Sequence, residues 1–416
     1  MKRVICLLLV LLMCCCSGCA TTIITTIEEY ENLFGNSKGN QNQKESDNIL
    51  DSVEIIKNSP LPVATVRQRS STASFDALDK KQQEIYKTIS AAAQNVINSN
   101  IPLDNSPTKQ DVYIAFWAVV RDHPEYFWLA DQIGYVNKNG KVYFYLIFCM
   151  DENKISASKT AFNNKLLEIK DSILGQTDYQ IALSIHDFLC ESVDYNIKPN
   201  DYSIYNAWGV LMNGTAVCQG YAEAMMLLCN RYGIECVLIS GKDSKGEPHM
   251  WNQIKLGGRW YNVDVTFDDA NNQNFHAYFG LSNTDIKADH TFSPLLNREH
   301  IEDFTKNYFN FFVGDCYSDE LNYFSKNGTL LSQDVTQSQK AIIYAVVNSI
   351  ANNKYSVDFG FDYDAQKSGE FLENKYNIAR CVNEINRHLK AHNLSGITLK
   401  SYYFTGNSVR MIFEKK

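Results

Sequence analysis

A cysteine that could act as a nucleophile occurs at position 218, within GTAVCQGYAEAMMLLCNRYGIECVLISG, residues 214–241. Gly214 and Thr215 predict a turn and a helix cap just before it, and the apolar spacing that follows predicts a helix that begins near Cys218. Unpaired N–H groups and the helix dipole at such a start favour the thiolate, which is the nucleophilic form of cysteine. The sequence therefore indicates thiol chemistry at Cys218, with a plain core helix as the alternative.

Two further cysteines in this segment occupy apolar positions. Cys229 lies about three turns into the predicted helix, and Cys236 lies in the apolar run ECVLIS. Both are predicted to be small buried residues. The cysteine spacing is not CxxC, and His249 is the histidine that follows closely, so a zinc site is not expected. We expect neither a metal nor an organic cofactor.

A base for the thiol occurs in PHMWNQIKLGGRWYNVDVTFDD, which reads as two strands around a tight turn. Gly257 and Gly258 predict a two-residue hairpin loop, which pairs Leu256 with Arg259. His249 then lies on the first strand of the hairpin. This register also determines which residues of the second strand lie near that histidine.

The hairpin register places two carboxylates near His249. Continued along the strands, it brings His249 opposite Thr266 and makes Asp264 and Asp268 its diagonal neighbours on the same face. Register alone does not choose between the two. Pro248 is expected to end regular pairing just before His249 and to leave the position opposite Asp268 outside the ladder. This favours Asp264 as the carboxylate that orients the imidazole.

Three blocks of sequence occur in an order that is informative: GTAVCQGYAEAMMLLCNRYGI, HMWNQIKLGGRWYNVDVTFDD and YFGLSNTDIKADHTF. Together they resemble the transglutaminase-like superfamily in its bacterial exported form, and SIHDFLCESVDYN resembles the helix before its core. The resemblance covers residues 180–293, and the region 75–150 is similar to the segment that such proteins carry before the core. It implies a papain-like fold in which Cys218 is the nucleophile, His249 its base and Asp264 the orienting residue.

Two residues near the thiol are candidates for contacts with substrate or with the oxyanion. Trp208, in YNAWGVL, stands where related sequences often have Tyr, and some relatives place an indole or amide near the oxyanion. Gln219 could donate a hydrogen bond, although a side chain at this position more often points to solvent. The backbone N–H of Cys218 itself is the expected oxyanion donor, with the second donor unassigned. Structural roles are predicted for the other nearby histidines, His186, His276 and His290.

The pattern and the resemblance together predict an α+β fold of three units. A transglutaminase-like core over 155–303 packs the helix that bears Cys218 on an antiparallel sheet. An N-terminal α/β segment over 75–150 precedes it, and a small α+β domain over 305–416 follows. The C-terminal sequence shows no constellation of acid, base and thiol, so it is assigned no chemistry.

The N terminus, MKRVICLLLVLLMCCCSGC, has basic residues before a short apolar run and small residues before Cys19. This is the layout of an export signal over 1–19, and it resembles the leader of bacterial lipoproteins, which implies that Cys19 is acylated. An ordinary cleaved signal peptide is the alternative. Residues 20–74 are predicted to form a flexible tether, or else a folded segment in which DSVEII and LPVATVRQ lie against the body. We expect an exported protein held by its lipid on the cell membrane or outer membrane.

Charge and composition limit the partners. The 416 residues include 39 Lys and Arg against 47 Asp and Glu, a net charge of −8, so no basic field is available to attract nucleic acid. The expected substrate is an amide bond of a peptide or protein, with hydrolysis favoured over transfer to an amine. The alternative is a cell-surface lipoprotein that uses the same fold to bind without catalysis. No oligomeric state is predicted.

Overall fold

The computed structural model describes residues 48–198, 201–269, 274–297, 303, 306, 308–365 and 367–416. The predicted signal peptide, Cys19 and the first part of the predicted tether, residues 20–47, lie outside the described residues. Among the helices of the described ranges, none is long and apolar enough to cross a membrane.

The N-terminal unit packs helices against a three-stranded antiparallel sheet of order β1-β3-β2. Its elements are α1 (Ala73–Asp76), α2 (Lys80–Gln94), β1 (Ile101–Leu103), α3 (Lys109–Asp122), β2 (Leu129–Lys138) and β3 (Lys141–Phe148). Asp79 and Thr108 cap α2 and α3, since each side chain accepts a hydrogen bond from the backbone N–H three residues later. Val112, Phe116 and Val119 are fully buried and lie at the spacing of one helix face on α3.

The core unit places a helix on a five-stranded antiparallel sheet of order β10-β6-β7-β8-β9. Its first elements are α4 (Glu152–Glu168), α5 (Asp178–Ser192), β4 (Asp194–Tyr195), β5 (Thr215–Ala216), α6 (Cys218–Arg231) and β6 (Glu235–Lys242). They are followed by β7 (Pro248–Leu256), β8 (Arg259–Val263), α7 (Val265–Asp268), β9 (Phe279–Leu281), α8 (Asn283–Ile286) and β10 (Thr291–Phe292). The predicted α+β class, with the cysteine-bearing helix α6 on an antiparallel sheet, is confirmed.

Small residues allow α6 to lie close to its neighbours. A Cβ at Gly220 would lie 2.6 Å from the carbonyl oxygen of Ile204 and 2.9 Å from the Cβ of Ala216, so this approach requires glycine. Further along the helix, the side chain of Asn252 on β7 donates a 3.0 Å hydrogen bond to the carbonyl of Ala222. These contacts hold the start of α6 against the preceding loop and tie its middle to the sheet.

The C-terminal domain has its own hydrophobic core and a four-stranded sheet of order β11-β12-β14-β13. Its elements are α9 (Tyr323–Asn327), β11 (Leu330–Leu331), α10 (Val335–Ala351), β12 (Ser356–Phe361), α11 (Gly369–Tyr376), α12 (Ile378–Ala391), β13 (Ile397–Thr405) and β14 (Ser408–Lys415). Residues 308–316 belong with the other units, because Phe309 is buried in the core of the N-terminal unit and Asn310 accepts a hydrogen bond from Ser240. The domain therefore begins near Tyr323, later than the predicted boundary at 305.

The described part of the predicted tether lies against the folded body. Ile49 and Val53 are buried in the core of the C-terminal domain, and the N–H of Ala64 donates a 2.8 Å hydrogen bond to the carbonyl of Ile173 in the core unit. These contacts contradict a flexible tether over residues 48–74 and agree with the folded alternative. Ile49, Val53 and Ala64 of this polar segment find buried sites on two units, which composition alone does not reveal.

An ionic network joins the core unit to the C-terminal domain. His276 donates to Asp187 at 2.9 Å and to Asp358 at 3.3 Å, and Arg410 donates twice to Asp358, at 2.5 and 2.6 Å. The ring of Tyr323 stacks on that of His276, with centroids 3.9 Å apart. Burial acts to lower the pKa of His276, but the hydrogen bonds with the two carboxylates raise it above the ordinary value. His276 is therefore a charged structural residue at the domain boundary.

Replacing His276 with Gln is expected to destabilise the protein most at low pH. Because the pKa of His276 is raised in the folded protein, its charged form contributes stability that is fully present below the unfolded-state pKa of about 6.5 and is lost as the pH rises through the folded value. We expect a loss of about 1–3 kcal/mol near pH 6 that shrinks towards pH 9, measured by urea unfolding. The same change at the exposed His392 is the control. A loss that does not vary with pH would contradict a charged His276.

Candidate active site

Cys218 is the first residue of α6, as predicted, and its side chain is partly exposed. Gly214 ends the preceding helical turn in the left-handed region, at φ 61°, and β5 then leads directly into the helix. No side chain caps this start, since Val217 occupies the capping position. The N–H groups of the first turn therefore face the space around the thiol, and they favour negative charge there.

His249 lies on β7 within a regular antiparallel ladder with β6. The hairpin ladder with β8 ends at Asn252 and Val263, so the position opposite Asp268 lies outside it as expected, but Pro248 is not the cause. On β6, His249 pairs with Gly241 and Pro248 pairs with Lys242. Proline is tolerated there because it is the first residue of its strand. The imidazole is 6% exposed and packs 4.8 Å from the ring of Phe267.

The predicted register of the hairpin around Gly257 and Gly258 is confirmed. Leu256 pairs with Arg259, and the ladder continues in this register to Asn252 and Val263. It ends there, because the chain leaves the strand at residue 264 and begins the short helix α7. The expected pairing of His249 with Thr266 consequently does not form.

Asp264 meets His249 just beyond the end of that ladder. One oxygen, Oδ1, accepts a 3.1 Å hydrogen bond from the N–H of Phe267 and caps α7. The other, Oδ2, accepts a 2.6 Å hydrogen bond from Nε2 of His249. The carboxylate is 1% exposed, so the pair is shielded from water. The contact between the two residues agrees with the prediction, although a helix cap rather than a diagonal strand position brings it about.

Asp268, the alternative carboxylate, contacts a different histidine. It accepts a 3.1 Å hydrogen bond from Nε2 of His186 on α5 and further bonds from the backbone N–H of Tyr278. His186 also contacts Asp187 at 3.0 Å. The tertiary structure thus separates the two acidic residues that the register left equivalent.

The electrostatics of the pair favour a charged imidazole. Burial opposes the charge on His249, but the negative charge and hydrogen bond of Asp264, together with the nearby thiol of Cys218, outweigh it and raise the pKa of His249 to about 10. Burial likewise acts to raise the pKa of Asp264, and the charge and hydrogen bond of His249 hold it below its usual range. Since Nε2 of His249 is bonded to Asp264, Nδ1 is the nitrogen left for the thiol of Cys218.

His290 is a second imidazole on Asp264, and sequence reasoning assigned it only a general structural role. Its Nε2 donates a 3.0 Å hydrogen bond to Oδ2 of Asp264, and its Nδ1 donates a 2.6 Å bond to Asp289. The pairing of Thr291 in β10 with β6 holds it there. The sequence did contain a signal that His290 lies near the site, because His290 belongs to YFGLSNTDIKADHTF, one of the three blocks that resemble the transglutaminase-like superfamily.

Gln219 and Trp208, the two weaker candidates, each contact identified side chains. The side-chain amide of Gln219 donates to Glu223 at 3.1 Å and lies 3.5 Å from Asp131, so it is directed at carboxylates of a neighbouring cavity. The indole of Trp208 packs on the rings of Phe127 and Phe162, at centroid distances of 4.6 and 5.9 Å. Roles for Gln219 and Trp208 in binding the oxyanion stay predictions.

Two clusters bring together side chains of the types that bind divalent metals. They are His249, Asp264 and His290, and His186, Asp187 and His276. In each cluster one carboxylate oxygen lies 2.6–3.0 Å from two imidazole nitrogens. These are hydrogen-bond distances, which explain both arrangements without an ion. We assign neither cluster a metal.

Residues 168–265 match the family model of the transglutaminase-like superfamily. The match includes Cys218, His249 and Asp264. Two curated proteins, the kyphoscoliosis peptidases of Mus musculus and Homo sapiens, are each 26% identical to this chain over 128 and 129 residues, which is 27% of this chain and 19% and 20% of theirs. The chain thus spans about a fifth of the length of these curated relatives.

Two solved structures are also similar over part of the chain. One is the crystal structure of a TGase, with 16% identity, a TM-score of 0.23, and coverage of 32% of this chain and 44% of that one. The other is of a candidate cysteine protease from Cytophaga hutchinsonii, with 14% identity, a TM-score of 0.23, and coverage of 32% and 61%.

Proposed function

We propose that the transglutaminase-like domain matched at residues 168–265 acts as a thiol enzyme on amide bonds of peptides or proteins. Cys218 is its nucleophile, His249 its general base and acid, and Asp264 its orienting residue. The observation that supports this most directly is the 2.6 Å hydrogen bond between the buried side chains of His249 and Asp264, with His249 on a strand against which the helix that begins at Cys218 packs. A thiol at a helix start, an imidazole and a buried carboxylate are the parts that acyl transfer requires.

The first half of the reaction forms a thioester. The thiolate of Cys218 attacks the carbonyl carbon, and the electron pair of the C=O bond moves to the oxygen, which accepts a hydrogen bond from the backbone N–H of Cys218. The oxyanion then collapses, the C–N bond breaks, and His249 gives its proton to the leaving amine. Asp264 stabilises the charged imidazole before this transfer and keeps Nε2 bonded, so that Nδ1 faces the reacting atoms.

The second half releases the acyl group. Neutral His249 takes a proton from water or from an amine, whose oxygen or nitrogen attacks the thioester, and the C–S bond breaks to regenerate the thiolate. Water gives hydrolysis, which we favour, and an amine gives transfer. The two are separated by product analysis on casein with and without an added primary amine, since hydrolysis creates new N termini and transfer attaches the amine.

We also propose that Cys19 is acylated and that the protein is held on a membrane of the bacterial cell envelope. The basic, apolar and small-residue sequence before Cys19 supports this proposal. Several acyl chains on one residue would make the attachment stable. The mass of the mature N-terminal peptide tests it, and an unmodified Cys19 would contradict it.

Cys218 is expected to react with iodoacetamide at pH 6–7 at least about 10-fold faster than a free thiol, because a charged His249 stabilises the thiolate. Mass spectrometry can assign the site, since five of the seven cysteines in the described ranges are buried and only Cys149 and Cys218 are partly exposed. Burial raises the pKa of Cys149 to about 11, so Cys149 serves as a slow internal reference.

The histidine dependence of this rate is the decisive control. In His249→Ala the rate at Cys218 is expected to fall to that of a free thiol, whereas in Cys218→Ala the labelling left within residues 48–416, among the residues that the structure describes, is the slow labelling of Cys149. A rate at Cys218 equal to that of a free thiol, with no dependence on His249, would contradict the proposed enzyme and support the non-catalytic binding protein.

A further inference from the structure

A cavity of about 340 Å³ lies against the first turns of α6, the helix that begins with the candidate nucleophile. It is enclosed between β2 and the end of α3 in the N-terminal unit and the start of α6 in the core unit. Gln219, the residue after Cys218, forms part of its wall. Its volume falls within the range of about 300–1,000 Å³ that is usual for ligand sites. It can therefore hold a side chain or a small group of a substrate that is bound at Cys218.

Two carboxylates line this cavity from opposite units. Glu223 lies four residues after Gln219 on the same face of α6 and is buried, and Asp131 on β2 is exposed at the opening. Gln219 lies between them, 3.1 Å from Glu223 and 3.5 Å from Asp131. Burial and the charge of Asp131 raise the pKa of Glu223 to about 8. The cavity thus places two carboxyl groups on either side of one amide, and without a cation Glu223 keeps its proton more readily than a free glutamate does.

The rest of the wall combines aromatic rings with aliphatic and polar side chains, among them His123. Phe127, Tyr202 and Tyr205 line the cavity, and Tyr202 and Tyr205 are also exposed to solvent at its edge. Among the described residues of the lining, none is Lys or Arg. Arg121 lies near enough to Glu223 to affect its charge, but the guanidinium is buried and donates to the backbone carbonyls of Leu238 and Phe309.

We infer that this cavity binds a cationic group of the substrate, an ammonium or a guanidinium, next to the reacting amide. A cation would neutralise Glu223 and Asp131 by charge-assisted hydrogen bonds, and the aromatic rings would contact its stem and face its charge. This assignment rests on the proposed function, because the position of the cavity on α6 matters for the substrate only if Cys218 is the nucleophile. It names the substrate class, which is a basic side chain on the peptide that is cleaved or a primary amine that accepts the acyl group.

The site is expected to bind its cation more tightly as the pH rises towards 8. A bound cation favours ionised Glu223, and the other groups that face this carboxylate are Asp131 from β2, which opposes its charge, and Arg121 from α3, which supports it. Cys149, which directly follows β3, and His123, which directly follows α3, also line the cavity, and burial raises the pKa of Cys149 to about 11, above this pH range. The rise follows because protonated Glu223 must lose its proton to the solvent when the cation binds.

The binding test uses the full chain with Cys218→Ala, so that its outcome does not depend on turnover. Nα-acetyl-lysine amide and its uncharged analogue Nα-acetyl-norleucine amide are titrated at pH 8 and followed by NMR. We expect the lysine compound to bind at least about 10-fold more tightly, and Glu223→Gln or Asp131→Asn to remove most of that difference. Glu152→Gln, which removes an exposed carboxylate from another surface groove, is the control.

Equal affinity for the lysine and norleucine compounds would overturn the inference, as would a preference that survives both Glu223→Gln and Asp131→Asn. Asp131 is exposed, so Asp131→Asn keeps the test valid if the change at buried Glu223 prevents folding. A failure here leaves the iodoacetamide result at Cys218 untouched, so the two proposals fail separately.

Two kinetic experiments with the active enzyme distinguish whether the cation belongs to the cleaved peptide or to the amine that accepts the acyl group. If the cavity binds a side chain of the cleaved peptide, lysine-acetylated casein is hydrolysed with a higher KM than casein, and Glu223→Gln abolishes the difference. If it binds the acceptor, Glu223→Gln raises the KM for incorporation of n-butylamine by a larger factor than the KM for casein hydrolysis.

Discussion

Cys218→Ala is expected to lower the kcat for amide cleavage by at least about 10³-fold, because no other group can form the thioester. The remaining rate would come from binding and from the oxyanion contacts alone. Cys218 is partly exposed at a helix end, so the free energy of unfolding should change by no more than about 1 kcal/mol. Kinetics on casein and urea unfolding of the same preparation measure the two quantities.

A matched control for this change lies on the same helix. Cys229→Ala also removes one thiol from α6, but Cys229 is fully buried in the hydrophobic core. We expect this variant to keep its kcat and to lose about 1 kcal/mol of stability through the small cavity that it leaves. If Cys218→Ala retained more than a tenth of the wild-type kcat, or if Cys229→Ala lost activity to the same extent, Cys218 would not be the nucleophile.

Asp264→Asn is expected to lower kcat by about 10⁴-fold. The amide can still cap α7 through its oxygen, so the local fold should be kept. What is lost is the negative charge that His249 and His290 both contact through Oδ2, at 2.6 and 3.0 Å. Without it the neutral tautomer with the proton on Nδ1 becomes available, and that tautomer cannot accept a proton from the side of Cys218. A pH profile of kcat over pH 5–9 would show a fall at every pH rather than a simple shift.

The stability of this variant should depend on pH in a defined direction. The pKa of His249 is about 10 in the folded protein, against about 6.5 when unfolded, so its charged form stabilises the fold fully below pH 6.5 and progressively less as the pH rises through about 10. We expect Asp264→Asn to lose about 3 kcal/mol of unfolding free energy near pH 6 and less near pH 10.

His290→Gln removes one contact to Asp264 and should reduce kcat less than Asp264→Asn does.

Equal losses of stability at pH 6 and pH 10 would contradict a charged His249 in the folded state. A kcat above one tenth of wild type in Asp264→Asn would contradict its role in orienting the imidazole. In that case Asp264 would be a structural cap of α7, and its contact with His249 would not serve catalysis.

The local parts of the site follow from short stretches of sequence. The start of α6 at Cys218 depends on Gly214 and on the apolar spacing of a single helix, and the hairpin register depends on Gly257 and Gly258. In each case the residues that decide the geometry lie within a few positions of one another, where backbone preference is strong. The three motif blocks likewise lie within one segment of the chain, and residues 168–265 match the family model.

The contact of His249 with Asp264 agrees with the prediction, but one of the reasons given for it was wrong. Asp264 was preferred because Pro248 was expected to end the pairing, yet the hairpin ladder already stops at Asn252 and Val263. The ladder with β8 ends instead because Asp264 caps a helix, which leaves its second oxygen for His249. A hydrogen bond that starts a four-residue helix is too small a signal to identify before the surrounding contacts are known.

The surroundings of the site were decided by tertiary structure alone. His290 reaches Asp264 because β10 adds to the far edge of β6, and the cavity carboxylates Glu223 and Asp131 meet because separate units pack together. These contacts join residues that are 26 to 92 positions apart, as Asp264 and His290 or Asp131 and Glu223 show. The sequence thus determined which residues carry the proposed chemistry, and the packing of strands and units determined their charge and their neighbours, because both depend on burial between segments distant in the chain.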